Sequence, residues 1–129
     1  MYYLLDGALT WTQARDRCSQ NNDGFLASAG PSLQQYNFLK EMYDEYRSKN
    51  GSATGVWIDG QYDATAAQWR CESFYYGMFG GCPATMQWAS GEPNNVDTEH
   101  CVLVSGEQTG GVVSYACNET MPAICAANR

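Results

Sequence analysis

The chain has 129 residues, 44% of them hydrophobic and 16% charged, which is the size and balance of one folded domain over residues 1–129. Seven basic against fourteen acidic residues leave a formal charge of −7, which repels a phosphate backbone and excludes nucleic acid as a partner. No apolar run is long enough to span a membrane as a helix.

In chain order, residues 2–5 form an aromatic and aliphatic run suited to a strand. Thr10-Trp11-Thr12-Gln13 has the Thr-x-x-Gln form of a capping box, in which hydroxyl and carboxamide satisfy backbone N–H groups reciprocally, so a helix is expected to start near Thr10. It runs through Ala14 and Cys18 and stops in the turn-rich Asn21-Asn22-Asp23-Gly24. A second helix begins at Pro31-Ser32 and carries Leu33, Tyr36, Leu39, Met42, Tyr43 and Tyr46 at three- and four-residue steps before Asn50-Gly51 ends it. That stripe is expected to be core. Beyond Gly51 no helical period returns, and short apolar runs predict strands at 56–58, 68–70, 101–104, 112–115 and 123–125. Trp57, Trp69 and Trp88 are expected to pack among them. The stretch 71–98 reads as a long irregular loop, with an aromatic cluster at Phe74, Tyr75, Tyr76, Met78 and Phe79, of a length that tends to carry function. The expected class is α+β, with two helices, antiparallel strands and a long loop region.

Cys18, Cys71, Cys82, Cys101, Cys117 and Cys125 form an even set without Cys-x-x-Cys clusters, which favours disulfides over structural zinc and places the chain in an oxidising, extracellular compartment. The sequons at Asn50 and Asn118 fit a secretory route. The first residues hold no basic stretch followed by a long apolar run, so any leader is expected to have been removed. Six cysteines allow fifteen pairings, and spacing alone does not choose among them. A Cys18–Cys125 bond would tie the start of the chain to its end and be worth about 4–5 kcal/mol in the chain-entropy model, against roughly 3 for Cys101–Cys117.

The elements and cysteines taken together resemble the C-type lectin-like domain over nearly the whole chain. Four features carry the resemblance: Trp11-Thr12-Gln13-Ala14 leading into Cys18, Val56-Trp57-Ile58 followed by Gly60, Trp88 before Gly91-Glu92-Pro93-Asn94, and Cys117 shortly before Cys125. The resemblance implies the short form of the domain, with disulfides Cys18–Cys125 and Cys101–Cys117, and leaves Cys71–Cys82 as an additional bridge. Asp59 departs from the pattern, which has glycine after Trp-Ile.

The same resemblance implies a site at Glu92-Pro93-Asn94, with a cis peptide before the proline turning both side chains toward one calcium ion. Glu-Pro-Asn marks sites for mannose-type sugars, where Gln-Pro-Asp marks galactose. The chemistry is directional: Glu92 accepts hydrogen bonds and Asn94 also donates, so a pair of adjacent equatorial hydroxyls is read in one orientation. Glu99 matches a further calcium-ligating carboxylate, making Glu92, Asn94 and Glu99 the expected sugar and metal residues. The pattern's Trp-Asn-Asp triplet is replaced by Val112-Val113-Ser114, so calcium is expected to bind more weakly or to draw on Asn95, Asp97, Ser114, main-chain oxygens and water. His100, the chain's one histidine, makes zinc the alternative metal.

An enzyme is not expected. Glu92 and Glu99 have no fixed separation suited to glycoside hydrolysis, and no Gly-x-Ser-x-Gly elbow accompanies His100. The expected function is a secreted lectin for mannose-type glycans, with microbial surfaces as a target and several copies acting together. The alternative is a member of the same fold that has lost calcium and binds a protein, ice or mineral.

Overall fold

In a computed structural model of the chain, Thr10 caps the first helix as the sequence predicts. Its hydroxyl accepts a hydrogen bond from the Gln13 N–H at 3.3 Å, and the Gln13 carboxamide accepts one from the Thr10 N–H at 3.0 Å. The structure describes residues 2–20, 24–29, 33–50, 54–71, 80–81, 88–93, 100–106 and 110–126. Helix α1 spans Trp11–Gln20 and α2 spans Leu33–Asn50. Of the predicted stripe on α2, Tyr36, Leu39 and Tyr43 are buried and Met42 packs at their margin. Leu33 is 50% exposed and is not core, because it stands in the first turn, at the end of the stripe. Tyr46 reaches β1 (Tyr2–Leu9) and donates to Asp6 Oδ1 at 2.7 Å. That hydrogen bond raises the Tyr46 pKa, with burial and the Asp6 charge adding to it.

The remaining strands are β2 (Phe25–Leu26), β3 (Gly55–Asp63), β4 (Gln68–Cys71), β5 (Gly80–Gly81), β6 (Cys101–Ser105), β7 (Val113–Tyr115) and β8 (Met121–Ala126). All six predicted strands are present, five of them longer than predicted and β7 one residue shorter. β2 and β5 are additions, since two residues carry no periodicity to read. The sheet runs β1-β8-β3-β4-β5, with β2 on β8, β6 on β3 and β7 on β6. It is mixed: β3 and β8 pair in parallel, while the other strand pairs are antiparallel. The β1 register breaks between Leu5 and Leu9, around Gly7 at φ 137°, a conformation that glycine adopts without steric cost.

Alternate residues of the central strands feed two apolar clusters on opposite faces of the sheet. Trp57, Leu103, Ala123 and Cys125 join α1 residues Trp11, Ala14 and Cys18, whereas Val56, Ile58, Val102, Val104 and Ile124 join α2 residues Tyr36, Leu39 and Tyr43. Two indoles lock the start of α1 to β3: Trp11 Nε1 donates to the Ile58 carbonyl and Trp57 Nε1 to the Leu9 carbonyl, each at 2.9 Å. Asp59, where glycine was expected, leaves β3 intact. Its N–H donates to the Ala27 carbonyl at 2.8 Å, and the residue is only 2% exposed. In the β3–β4 turn, Asp63 accepts from the N–H groups of Ala66 and Thr65 and from Arg70 Nε. The Ala66 N–H, with Arg70 and Thr65 adding to it, holds the Asp63 carboxyl below the usual carboxylate range.

Disulfides join Cys18 to Cys125 and Cys101 to Cys117, as the resemblance implies. Cys71 is also disulfide-bonded, and its expected partner Cys82 lies outside the described residues. So do the aromatic cluster 74–79 and the helix start at Pro31-Ser32.

Candidate functional site

The predicted sugar edge hangs from β7. Trp88 pairs with Val112 as an isolated parallel bridge, and the Ala89 N–H donates to the Val112 carbonyl at 2.9 Å. The Glu92 N–H then closes a turn onto the Ala89 carbonyl, also at 2.9 Å, with Gly91 at φ 82° inside it. The peptide between Glu92 and Pro93 is cis, as the resemblance implies.

The Glu92 side chain is fastened to β7 as well. Its Oε1 accepts two hydrogen bonds from Ser114, one from the backbone N–H and one from the hydroxyl, each 2.9 Å long. Ser114 is 3% exposed, while Glu92 is only partly buried. A rigid, nearly buried donor pair thus holds the carboxylate of a residue that is itself only partly buried. Such charge-assisted bonds are each worth about 1.5–3 kcal/mol when fully desolvated, and less at a partly exposed site.

The approach of the Trp88 segment to β7 depends on a missing side chain. A Cβ on Gly111 would collide with the Trp88 carbonyl group and the Ala89 nitrogen, which are backbone atoms that cannot swing aside. Gly111→Ala is therefore expected to lower stability by about 1–3 kcal/mol, the usual cost of overpacking. The same variant should weaken any ligand that uses Glu92. Thermal melting and ligand titration of one sample check both effects.

Of the residues predicted for a metal, Glu92, His100 and Ser114 are described, whereas Asn94, Asn95, Asp97 and Glu99 lie outside the described residues. The described donors do not fit a calcium shell. Oε1 of Glu92, the one carboxylate of the expected set among the described residues, already takes an N–H and an O–H dipole, which makes that oxygen a poor cation ligand. Ser114 stands where the resemblance places a carboxylate. Val113, in the place of the amide ligand, is buried among the α1-side cluster and offers no polar side-chain atom. Among the described residues no three His, Cys, Asp or Glu side chains gather as a metal site would need.

His100 sits against the Tyr62 ring at 5.7 Å between centroids, and its buried Nε2 has no hydrogen-bond partner among the described residues. Tyr62 in turn packs on Trp69 at 5.3 Å, and Trp69 on Trp88 at 5.0 Å. This aromatic row runs from the β3–β4 hairpin to the foot of the Glu92 turn, and Trp69 and Trp88 border the α2-side core. Sequence reasoning named Ser114 only as a substitute metal ligand. Its role as a donor to Glu92 depends on β7 register, which pairs Ser114 with Val102 and is not readable from spacing.

Comparison with known proteins matches residues 7–127 to the family described as the lectin C-type domain. Lithostathine of Rattus norvegicus is 29% identical over 104 residues, covering 81% of this chain and 57% of that protein. The chain thus spans little more than half the length of the curated relatives it matches. Among solved structures, the cow carbohydrate-recognition domain of CD23, determined in the presence of a GlcNAc2Man3 oligosaccharide, superposes with a TM-score of 0.68 and 27% identity. That alignment covers 96% of this chain and 84% of the other. The Ca2+-independent C-type lectin SPL-2 from Saxidomus purpuratus gives a TM-score of 0.73 at 19% identity, over 96% and 83% of the two chains.

Proposed function

The chain belongs to the lectin C-type domain family, and from that premise we propose that it is a secreted, non-enzymatic carbohydrate-binding module for mannose-type sugars. The observation that carries this reading is that Glu92, a partly buried residue beside Pro93, has its carboxylate held by two hydrogen bonds from Ser114. Fixed in this way, it accepts a hydrogen bond from a sugar hydroxyl. Asn94 follows in sequence with the amide that donates to the neighbouring hydroxyl. The disulfides support an extracellular setting. The likeness to the carbohydrate-recognition domain of CD23, determined in the presence of a mannose-containing oligosaccharide, supports the substrate class. An assisting calcium or zinc ion would have to be held by Asn94, Asn95, Asp97 and Glu99, with His100 as the nitrogen ligand that favours zinc, and the sugar reading does not depend on it. A shallow edge of this kind gives single-site affinities of about a millimolar, so glycan-coated surfaces such as those of microbes are bound by several copies acting together.

The test is retention on mannose-agarose with calcium, with zinc and with chelator, for the wild type, Glu92→Gln and Asn94→Asp. Glu92→Gln should reduce retention about tenfold or more, the equivalent of one charge-assisted hydrogen bond of roughly 1.4 kcal/mol. Asn94→Asp should do the same by replacing a donor with a second acceptor. Wild-type retention that survives both substitutions unchanged would sink the reading. Absence of wild-type retention under all three conditions would favour the second reading, a non-sugar member of the family that binds a protein, ice or mineral, which the apolar Val113 in place of a polar ligand supports.

A further inference from the structure

We infer that Ser114 takes over the orienting task of a metal, so that Glu92 is set for a sugar hydroxyl in the absence of calcium. The inference deepens the sugar reading above and rests on it.

A carboxylate on a surface turn has two soft torsions beyond its Cβ and will sample several rotamers unless something opposes it. A cation can do this by pulling on the oxygens. Here Ser114 does it from below, with two donors converging on one oxygen at 2.9 Å each. The donors are themselves rigid. One is a backbone N–H in β7, and the other is a hydroxyl on a residue that is 3% exposed. β7 is held by β6 through three paired residues and by the Cys101–Cys117 disulfide just beyond its end. The backbone of the Glu92 turn is tied to the neighbouring residue Val112. Carboxylate and donors therefore belong to one stitched unit, and no ion is needed to bring them together.

The same geometry opposes a cation. Calcium requires lone pairs, and the strand that faces Glu92 supplies two hydrogens aimed at Oε1. Serine in the place of a carboxylate also removes one negative charge from the calcium side of the balance. It removes the like-charge repulsion that two neighbouring carboxylates would feel without an ion. The substitution thus weakens the metal and stabilises the metal-free arrangement at once. Ser114 acts here as a positioning residue, since it touches Glu92 rather than the sugar.

The experiment uses the whole chain in five forms: wild type, Ser114→Ala, Ser114→Thr, Ser114→Asp and Glu92→Gln. Each is measured twice, by mannose-agarose retention in chelator or calcium and by thermal melting without sugar across a calcium titration reaching a few millimolar, the upper range for extracellular calcium modules. Wild type should be retained equally in chelator and calcium, and calcium should leave its melting temperature unmoved. Ser114→Ala should lose about tenfold in retention, for one hydrogen bond worth roughly 1.4 kcal/mol. Ser114→Thr, which keeps the hydroxyl, should restore most of that loss, a rescue that loss of packing alone would not give. Ser114→Asp should melt lower than wild type in chelator and recover with calcium.

Loss of wild-type retention in chelator, or a wild-type melting temperature raised by calcium, overturns the inference while leaving the sugar reading standing. If no form is retained under either condition, the sugar reading fails. The melting series still decides the metal question in that case: a calcium-driven rise in wild type refutes the role given to Ser114, and a flat response joined to a rise in Ser114→Asp upholds it.

Discussion

Replacing Cys18 and Cys125 together by alanine should lower the unfolding free energy by about 5 kcal/mol, against about 3 kcal/mol for the Cys101–Cys117 pair. The two bridges differ in the length of chain they close, with sequence separations of 107 and 16 residues. The entropy withheld from the unfolded chain grows with the logarithm of that length, so the longer bridge is worth roughly 2 kcal/mol more rather than seven times more. Cys18 lies on α1 and Cys125 on β8, so this bridge also clamps the first helix to the sheet. Domains of this size are stable by only about 5–15 kcal/mol, so a 5 kcal/mol loss brings the chain to the edge of unfolding at 37 °C. Denaturant midpoints of both double variants, compared with wild type at equal slope, measure the two losses. Equal losses, or a larger one for the short loop, would show that structure retained in the unfolded chain outweighs loop entropy.

The second large effect is expected at Trp57. This side chain is fully buried, packs edge-on to Tyr115 at 6.4 Å between ring centroids, and gives its indole N–H to the Leu9 carbonyl. Trp57→Ala should cost about 3–5 kcal/mol for the lost packing and cavity. A further 1–3 kcal/mol follows from leaving the buried Leu9 carbonyl without that donor. Trp57→Phe keeps most of the volume and loses the N–H, so its cost should fall near the second figure alone. Trp69→Ala, at a partly exposed ring, should cost less than Trp57→Ala. Urea unfolding of the three variants orders them, and a Trp57→Phe loss as large as that of Trp57→Ala would place the energy in the hydrogen bond rather than in packing.

Much of this fold is legible in the chain because its signals are local. The Thr10–Gln13 capping box, the α2 stripe and the strands around Trp57 and Leu103 each follow from residues within a few positions of one another. The disulfide pairing is not local. Spacing left fifteen pairings open, and the resemblance supplied what arithmetic did not. The short strands β2 and β5 escaped because two residues define no period, and their places are set by β8 and β4. The parallel contact between β3 and β8, centred on Trp57 and Ala123, likewise joins segments far apart in sequence. At the site, Glu92 and Pro93 were readable as a motif, whereas Ser114 was readable only as a missing carboxylate. Its part as a donor emerges once β7 lies beside the turn, a juxtaposition set by Gly111, Val112 and the sheet rather than by any pattern in residues 112–114.

The paired indoles carry a consequence for how this molecule breathes. Each tryptophan grips a carbonyl on the other's segment, so the residues around Leu9 and Trp11 and the middle of β3 are unable to open one at a time. Transient exposure of amides there requires a single concerted excursion, and their protons trade with solvent at a shared pace near that of global unfolding. The outer turns of α2 are tied to their neighbours by exposed side-chain hydrogen bonds, Gln35 to Tyr2 and Tyr46 to Asp6, and open more readily than that buried pair.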